Sequence, residues 1–315
     1  MILSMRYLIT GAAGFLGTHL YLKLKSQGQH VVGIDNFSHP CGHISNKEIK
    51  YADIRYINSI APYIGWCDFC FHLGAIINID QSIKFAEETI ATNINGTLNI
   101  LELVKRYNKK MLFASTSEVY GTSQMNLMDE AHPTNPQSPY AASKLAGDAL
   151  CRAYYQTYGT RAVILRNFNV FGSYQNAGEG AGSSYGSVIA IFVKRALNNE
   201  PLYIFGDGKQ ERDYMSADDA VSAYELCVNK FDDLVGQVIN MGSGKTITIN
   251  RLAELVIKMT NSKSEIIHTE ARAGEVRRLN CDNSKARSFG LVPQTDFERD
   301  LEKYIKEKML VVMDH

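Results

Sequence analysis

The sequence predicts an α/β fold, a doubly wound parallel sheet followed by a smaller C-terminal lobe. Three observations carry this. Short β-rich runs alternate with amphipathic helical stretches through the first half. A glycine-rich turn separates the first strand from the first helix. The texture then changes near Asn167, where smaller elements and a Gly/Ser-rich stretch begin. Strands alternating with helices bury a parallel sheet on both faces, and their crossovers are right-handed.

The strands are expected at Arg6–Thr10, His30–Asp35, Cys67–Leu73, Lys110–Ser115 and Arg161–Arg166, each rich in Ile, Val, Leu or Phe. Helical patterns fill Phe15–Lys25, Asn93–Tyr107 and Tyr140–Tyr158. Beyond them, Ala177–Gly186 reads as a surface loop. There follow a helix over Ser187–Asn198, a strand at Leu202–Phe205, a helix opening near Asp218 and Asp219, and a strand at Val238–Met241. Helices over Asn250–Met259 and Asp296–Lys308 close the chain. The expected division is residues 1–166 and 167–315, the second part discontinuous, with some of its segments returning to the sheet.

Composition excludes several classes. The chain has 315 residues, 45% of them hydrophobic and 21% charged, as in ordinary globular proteins. Lys+Arg and Asp+Glu balance at 33 each, so no global field points to nucleic acid or an anionic membrane. No apolar run approaches the ~18 residues of a membrane helix, and Met1–Arg6 leads straight into a strand, so a cytoplasmic location is expected. Cys67 and Cys70 have CxxC spacing inside an apolar run and read as buried thiols, since no second pair completes a zinc site. No metal is expected.

Thr10-Gly-Ala-Ala-Gly-Phe-Leu-Gly17 places glycines at 11, 14 and 17 between a strand and a helix. Gly11 allows a tight turn, Gly14 a close approach to a pyrophosphate, and Gly17 close packing of helix on strand. The helix N-terminus adds free N–H groups and a positive dipole end. This is the Rossmann-type cradle, with Phe15 and Leu16 opening the helix. Asp35, ending the second strand, suits the adenosine ribose hydroxyls and repels a 2′-phosphate. No Arg follows it in Asn36-Phe-Ser-His39, so NAD is favoured over NADP; Asn36 joins the same site.

Tyr140-Ala-Ala-Ser-Lys144 starts a helix, so Tyr140 and Lys144 share a face. A tyrosine of ordinary pKa ~10 is a poor base at neutral pH; a neighbouring ammonium and a cationic nicotinamide are expected to favour its phenolate. Ser115-Thr-Ser-Glu-Val-Tyr-Gly121 ends a strand at the sheet edge where ligands sit. Thr116 can bond the same substrate oxygen, and Glu118 adds a carboxylate.

Together these motifs resemble the extended short-chain dehydrogenase/reductases that act on nucleotide sugars, the epimerase/dehydratase group. The likeness runs essentially end to end, through Asp53-Ile54, His72-Leu-Gly-Ala75, Asn93-Ile-Asn-Gly-Thr97, Arg166-Asn-Phe-Asn169, Arg212-Asp-Tyr214 and Arg272-Ala-Gly-Glu275. It implies that Asp53 and Ile54 flank the adenine. Leu73, Gly74 and Ala75 would line the pyrophosphate and ribose, Asn93 would lie beside the cofactor, and Lys144 would hold the nicotinamide ribose. Asn169 would meet the substrate diphosphate, Tyr203 and Phe205 would pass the nucleotide base, and Arg212 and Arg272 would clamp the diphosphate, with Glu275 beside them. Two departures are Gly74, where the family has Ala, and Asn167, where it has Tyr.

The resemblance implies an NAD-dependent enzyme acting on a nucleotide-diphosphate sugar, opening with oxidation at C4 by Tyr140. An epimerase returns hydride to the other face; a 4,6-dehydratase needs a base at C5; a uronate decarboxylase loses carbon dioxide there. The Thr116-Ser-Glu118 trio resembles that of dehydratases and of decarboxylases, but Ala75-Ile-Ile-Asn-Ile-Asp-Gln-Ser82 stands where decarboxylases usually carry a Ser-Pro-Pro loop; the dehydratase therefore ranks first, the epimerase second and the decarboxylase third. A non-catalytic NAD-binding regulator is disfavoured by the intact Thr116, Tyr140 and Lys144. The family also implies a homodimer through the helices near Asn93–Tyr107 and Tyr140–Tyr158.

Overall fold

The computed structural model describes residues 5–38, 48–175, 187–271 and 276–313. The expected surface loop over 177–186, together with Arg272 and Glu275, lies outside the described residues.

Seven strands form one sheet in the order Val238–Met241, Arg161–Asn167, Lys110–Thr116, Phe69–His72, Arg6–Thr10, His30–Asp35, Lys50–Tyr51. Every pairing in it is parallel. The chain thus starts at an interior strand, runs outward to Lys50–Tyr51, and crosses back to build the other half. The ligand-binding crevice of such a sheet lies where the strand order reverses, outside the carboxyl ends of the strands; here Thr10 and His72 sit in register at that point.

Interior strands are apolar on both faces, as in Phe69–His72, where all four residues are buried. One face packs Leu20, Leu24, Tyr224 and Phe231 against Phe69, Phe71, Val163 and Leu165. The other packs Ile60, Ile64, Ile100, Leu103 and Cys151 against Leu8, Cys70, Met111 and Phe113. Cys67 and Cys70 are buried free thiols, as expected. No helix among the described residues is long and apolar enough to cross a membrane.

A third core collects Phe192, Leu202, Ile204, Leu252, Val256 and Ile305 from the later segments. Two expected strands, Leu202–Phe205 and Val238–Met241, form over those same residues. The two short helices Ile79–Lys84 and Ala86–Ile90 and the strands Glu211–Asp213, Thr246–Thr248 and Ile266–Thr269 carry little periodicity and are legible only in three dimensions. The helix expected from Asn93 begins instead as a π-turn, Ala91–Asn95, before the α-helix Gly96–Arg106.

Candidate active site

The glycine turn is built by backbone. Gly11 has φ +70, in the left-handed region that favours glycine, and a Cβ there would meet Gly74 backbone at 2.7 Å. A Cβ on Gly17 would lie 2.0 Å from the Gly11 carbonyl oxygen, so the first helix can sit this close only without a side chain. That helix begins at Phe15, runs on through Leu16, and no side chain caps its N-terminus, which fits a phosphate-binding end. Asp35 stands at the rim, where its carboxylate accepts from Ala13 N–H at 3.0 Å and Phe37 N–H at 2.7 Å. Asp53 is buried and accepts from Arg55 at 2.6 Å and from Asn36 Nδ2 at 3.4 Å. Ile54 packs under Gly96, where a Cβ would meet it at 2.7 Å. These features fit a dinucleotide.

A buried polar chain then links the cradle to the helix that carries Tyr140 and Lys144. Gly74 N–H donates to Thr10 Oγ1 at 3.0 Å, and Thr10 Oγ1 lies 2.8 Å from His72 Nδ1. His72 Nε2 lies 3.0 Å from Thr97 Oγ1, which donates to Asn93 O at 2.6 Å. Because the single Thr97 hydroxyl proton is spent on Asn93, His72 carries its own proton on Nε2 and accepts from Thr10. Burial pulls its pKa down to about 3, and the Lys144 charge adds to that, so the ring stays neutral. Asn93 holds Ile76 by both its N–H and its carbonyl, each at 2.8 Å, and donates to Ser143 Oγ at 2.8 Å. Leu73, Gly74 and Ala75 are thereby fixed from both sides.

The helix Pro139–Tyr158 is capped by Ser138, whose Oγ accepts from Ala141 N–H at 3.1 Å. Its N1 proline has no N–H to satisfy. Tyr140 therefore lies in the first turn; its phenol is hydrogen-bonded to the Thr116 side chain and faces the Glu118 charge. Thr116 ends the strand Lys110–Thr116, and its Oγ1 accepts from Glu118 N–H at 3.3 Å, opening a short 3-10 turn, Ser117–Tyr120. Burial raises the Glu118 pKa, and the Arg212 charge opposes this. Thr116, Glu118 and Tyr140 thus converge as their spacing suggested.

Lys144 sits one turn beyond Tyr140 on the same helix. The Lys144 ammonium lies 4.1 Å over the Phe113 ring. Burial pushes the Tyr140 phenol up to about 12; Thr116 opposes the rise and Glu118 adds to it.

On the substrate side, Asn169 Nδ2 donates to the Asp213 carbonyl at 3.0 Å, which ties it to the strand that carries Arg212. The Asp213 carboxylate accepts from Ser243, Gly244 and Cys281 N–H groups, and burial pushes its pKa up to about 6. Tyr203 is exposed with Arg195 over its ring at 4.9 Å, and Phe205 ends the same strand. Ser82, Ser143 and the buried Asp148–Arg166 pair were not singled out from sequence. Ser143 and Asp148 share the helix of Tyr140 and Lys144, but only the fold brings Ser82 to the Tyr140 N–H, Asn93 to Ser143 and Arg166 to Asp148.

Fold and site together define a dinucleotide-dependent enzyme of the short-chain dehydrogenase type. The chain belongs to the NAD dependent epimerase/dehydratase family, whose model matches residues 7–242, and its cofactor is NAD. It is 34% identical over 277 residues to the UDP-N-acetyl-alpha-D-glucosaminuronate decarboxylase of Bacillus cytotoxicus, covering 84% of this chain and 83% of that one. Its fold is similar to the UDP-glucose 4-epimerase of Thermotoga maritima, solved with UDP-glucose, at TM-score 0.91 and 29% identity over 98% of this chain and 100% of that one. It is also similar to the dTDP-glucose 4,6-dehydratase of Streptomyces venezuelae, solved with NAD, at TM-score 0.88 and 27% identity over 97% of each chain. Relatives therefore span all three reactions that the sequence leaves open.

Proposed function

We propose that this enzyme is a nucleotide-sugar 4,6-dehydratase. The observation that carries the reading is Glu118, a carboxyl set beside Tyr140 and Thr116 and raised in pKa by burial. Epimerisation at C4 has no use for such a base. Tyr140 takes the proton of the sugar 4-hydroxyl, with Thr116 orienting both oxygens. NAD, when bound, supplies the hydride acceptor and later the donor. In the 4-keto sugar the C5 hydrogen is acidic; Glu118 removes it and gives a proton to the departing 6-hydroxyl, which leaves as water. Asn169, Arg212 and Arg272 hold the diphosphate, a task suited to guanidinium groups. The same reading pairs two copies through the helices Gly96–Arg106 and Pro139–Tyr158, near which Tyr107, Tyr155 and Tyr158 are exposed.

The test is turnover of nucleotide sugars in deuterium oxide, followed by NMR and mass spectrometry. A dehydratase places solvent deuterium at C5 of a 6-deoxy-4-keto product. A Glu118→Gln variant still accumulates bound NADH but does not eliminate water. A C4 epimer free of deuterium, made equally well by that variant, overturns the reading. So does carbon dioxide release confined to uronic acid substrates.

A further inference from the structure

Asp213 carries a carboxylate that is completely buried, at 0% exposure. Four groups donate to it. Ser243 gives Oδ1 its N–H at 2.8 Å and its hydroxyl at 2.6 Å. Oδ2 takes the N–H groups of Gly244 at 2.8 Å and Cys281 at 3.3 Å. All four donors are neutral. An ionised carboxylate, which accepts and does not donate, satisfies such a set; a protonated one would turn its own O–H toward a donor. The bonds favour the charged form, and with a pKa of about 6 the group is ionised at neutral pH in spite of its burial. A neutral side chain would avoid the cost of burying a charge, so the use of this carboxylate lies in what it joins.

Ser243 and Gly244 follow Val238–Met241, the edge strand of the seven-stranded sheet, at its carboxyl end. Cys281 follows Arg278–Leu279, which pairs with Glu211–Asp213. The main chain reaches one segment more. The Asp213 carbonyl accepts from Asn169 Nδ2 at 3.0 Å, and Met215 N–H donates to Asn169 O at 3.2 Å. Asn169 stands just past Arg161–Asn167, the neighbour of Val238–Met241 in the sheet. Asp213 thus fastens a strand of the later lobe to the carboxyl ends of two adjacent sheet strands, the edge where ligands sit. That strand has three residues, and its partners Thr246–Thr248 and Arg278–Leu279 have three and two, so ladder bonds alone hold it by few contacts. Successive side chains of a strand point to opposite faces. With Asp213 fixed on the buried face, Arg212 is presented, partly exposed, on the other.

We infer that Asp213 is a positioning residue whose hydrogen-bonded carboxylate sets Arg212 and Asn169 for the substrate's diphosphate. The inference rests on the reading that these two side chains hold that group, and it stands whichever reaction follows the first oxidation.

Calorimetry on the NAD-loaded protein at mildly alkaline pH tests it, with UDP, dTDP, GDP and CDP as probes and NAD affinity measured in parallel. Arg212→Ala weakens the best-bound diphosphate by about tenfold or more; no loss there overturns the diphosphate reading itself, whatever Asp213 does. Asp213→Asn keeps the shape but turns an NH2 toward the Gly244 and Cys281 donors. It weakens the same diphosphate by about tenfold and leaves NAD affinity unchanged. In the Arg212→Ala background the same substitution costs clearly less, the sign that it acts through that side chain. Ser243→Ala withdraws only the hydroxyl donor; it gives the same change in smaller measure, and the answer if the asparagine variant does not fold. The inference is overturned if Arg212→Ala weakens diphosphate binding while neither Asp213→Asn nor Ser243→Ala does. An equal fall in NAD affinity, which a merely structural role would give, or full additivity with Arg212→Ala, overturns it too.

Discussion

Ser82 Oγ accepts the backbone N–H of Tyr140 at 3.1 Å, while it donates its own proton to Ile79 O at 2.6 Å. The first turn of a helix has N–H groups with no partner inside the helix. Ser138 satisfies one of them and Ser82, from a different element, satisfies another. Tyr140 is thus held by its main chain as well as by Thr116. Ser82→Ala leaves that N–H without its partner and costs about 1 kcal/mol of stability, read by chemical denaturation. kcat falls with KM little changed, and Ser82→Thr restores most of it. An equal loss in both variants would point to crowding rather than the hydrogen bond.

Tyr140→Phe keeps the ring and removes the oxygen bonded to Thr116. Turnover drops by roughly two to four orders of magnitude, the usual worth of a positioned proton-transfer group, while binding of NAD and nucleotide sugar is retained. Steady-state kinetics with parallel calorimetry separates the two effects. A near-normal rate would place the proton transfer elsewhere.

Asp35 faces the glycine turn with a carboxylate already fixed by two N–H groups. That rigidity sharpens its discrimination against a 2′-phosphate, since the charge cannot swing away. NAD binds far more tightly than NADP to the unmodified protein, and Asp35→Ala narrows the gap. Equal affinities before the substitution would remove the assignment.

On the dehydratase reading Glu118 works as a base only when ionised, and burial raises its pKa above that of a free glutamate. The acid limb of the elimination step therefore lies at higher pH than an exposed carboxylate would give, with activity rising as pH increases through it. Stopped-flow measurement of elimination from a preformed 4-keto sugar isolates this limb. Arg212→Ala moves it to still higher pH, because the Arg212 charge opposes the rise. A limb unaffected by that change would mean that the two groups do not meet during turnover.

Much of this site was legible in one dimension because its chemistry is encoded locally. Gly11, Gly14 and Gly17 lie in one turn, and Tyr140 and Lys144 lie one helical turn apart. Thr116 and Glu118 straddle the end of one strand. What was hidden depends on long-range contact. Asn93 reaches Ser143 across 50 positions, and Thr10 reaches His72 across 62. The setting of Lys144 was hidden for a related reason. Spacing along a helix shows that two side chains share a face, but not that Phe113 lies beneath the ammonium.

The place of Val238–Met241 bears on how the chain is made. This strand pairs with Arg161–Asn167 at the sheet's edge, yet it is synthesised only after much of the later lobe. While a ribosome adds those intervening residues, a process of several seconds, the Arg161–Asn167 strand has one row of main-chain groups unpaired. All but its first residue are buried in the finished protein, so for that interval it is a sticky edge open to other nascent chains. Slowed translation downstream of Asn167 would lengthen the interval and lower the soluble yield without altering a single residue.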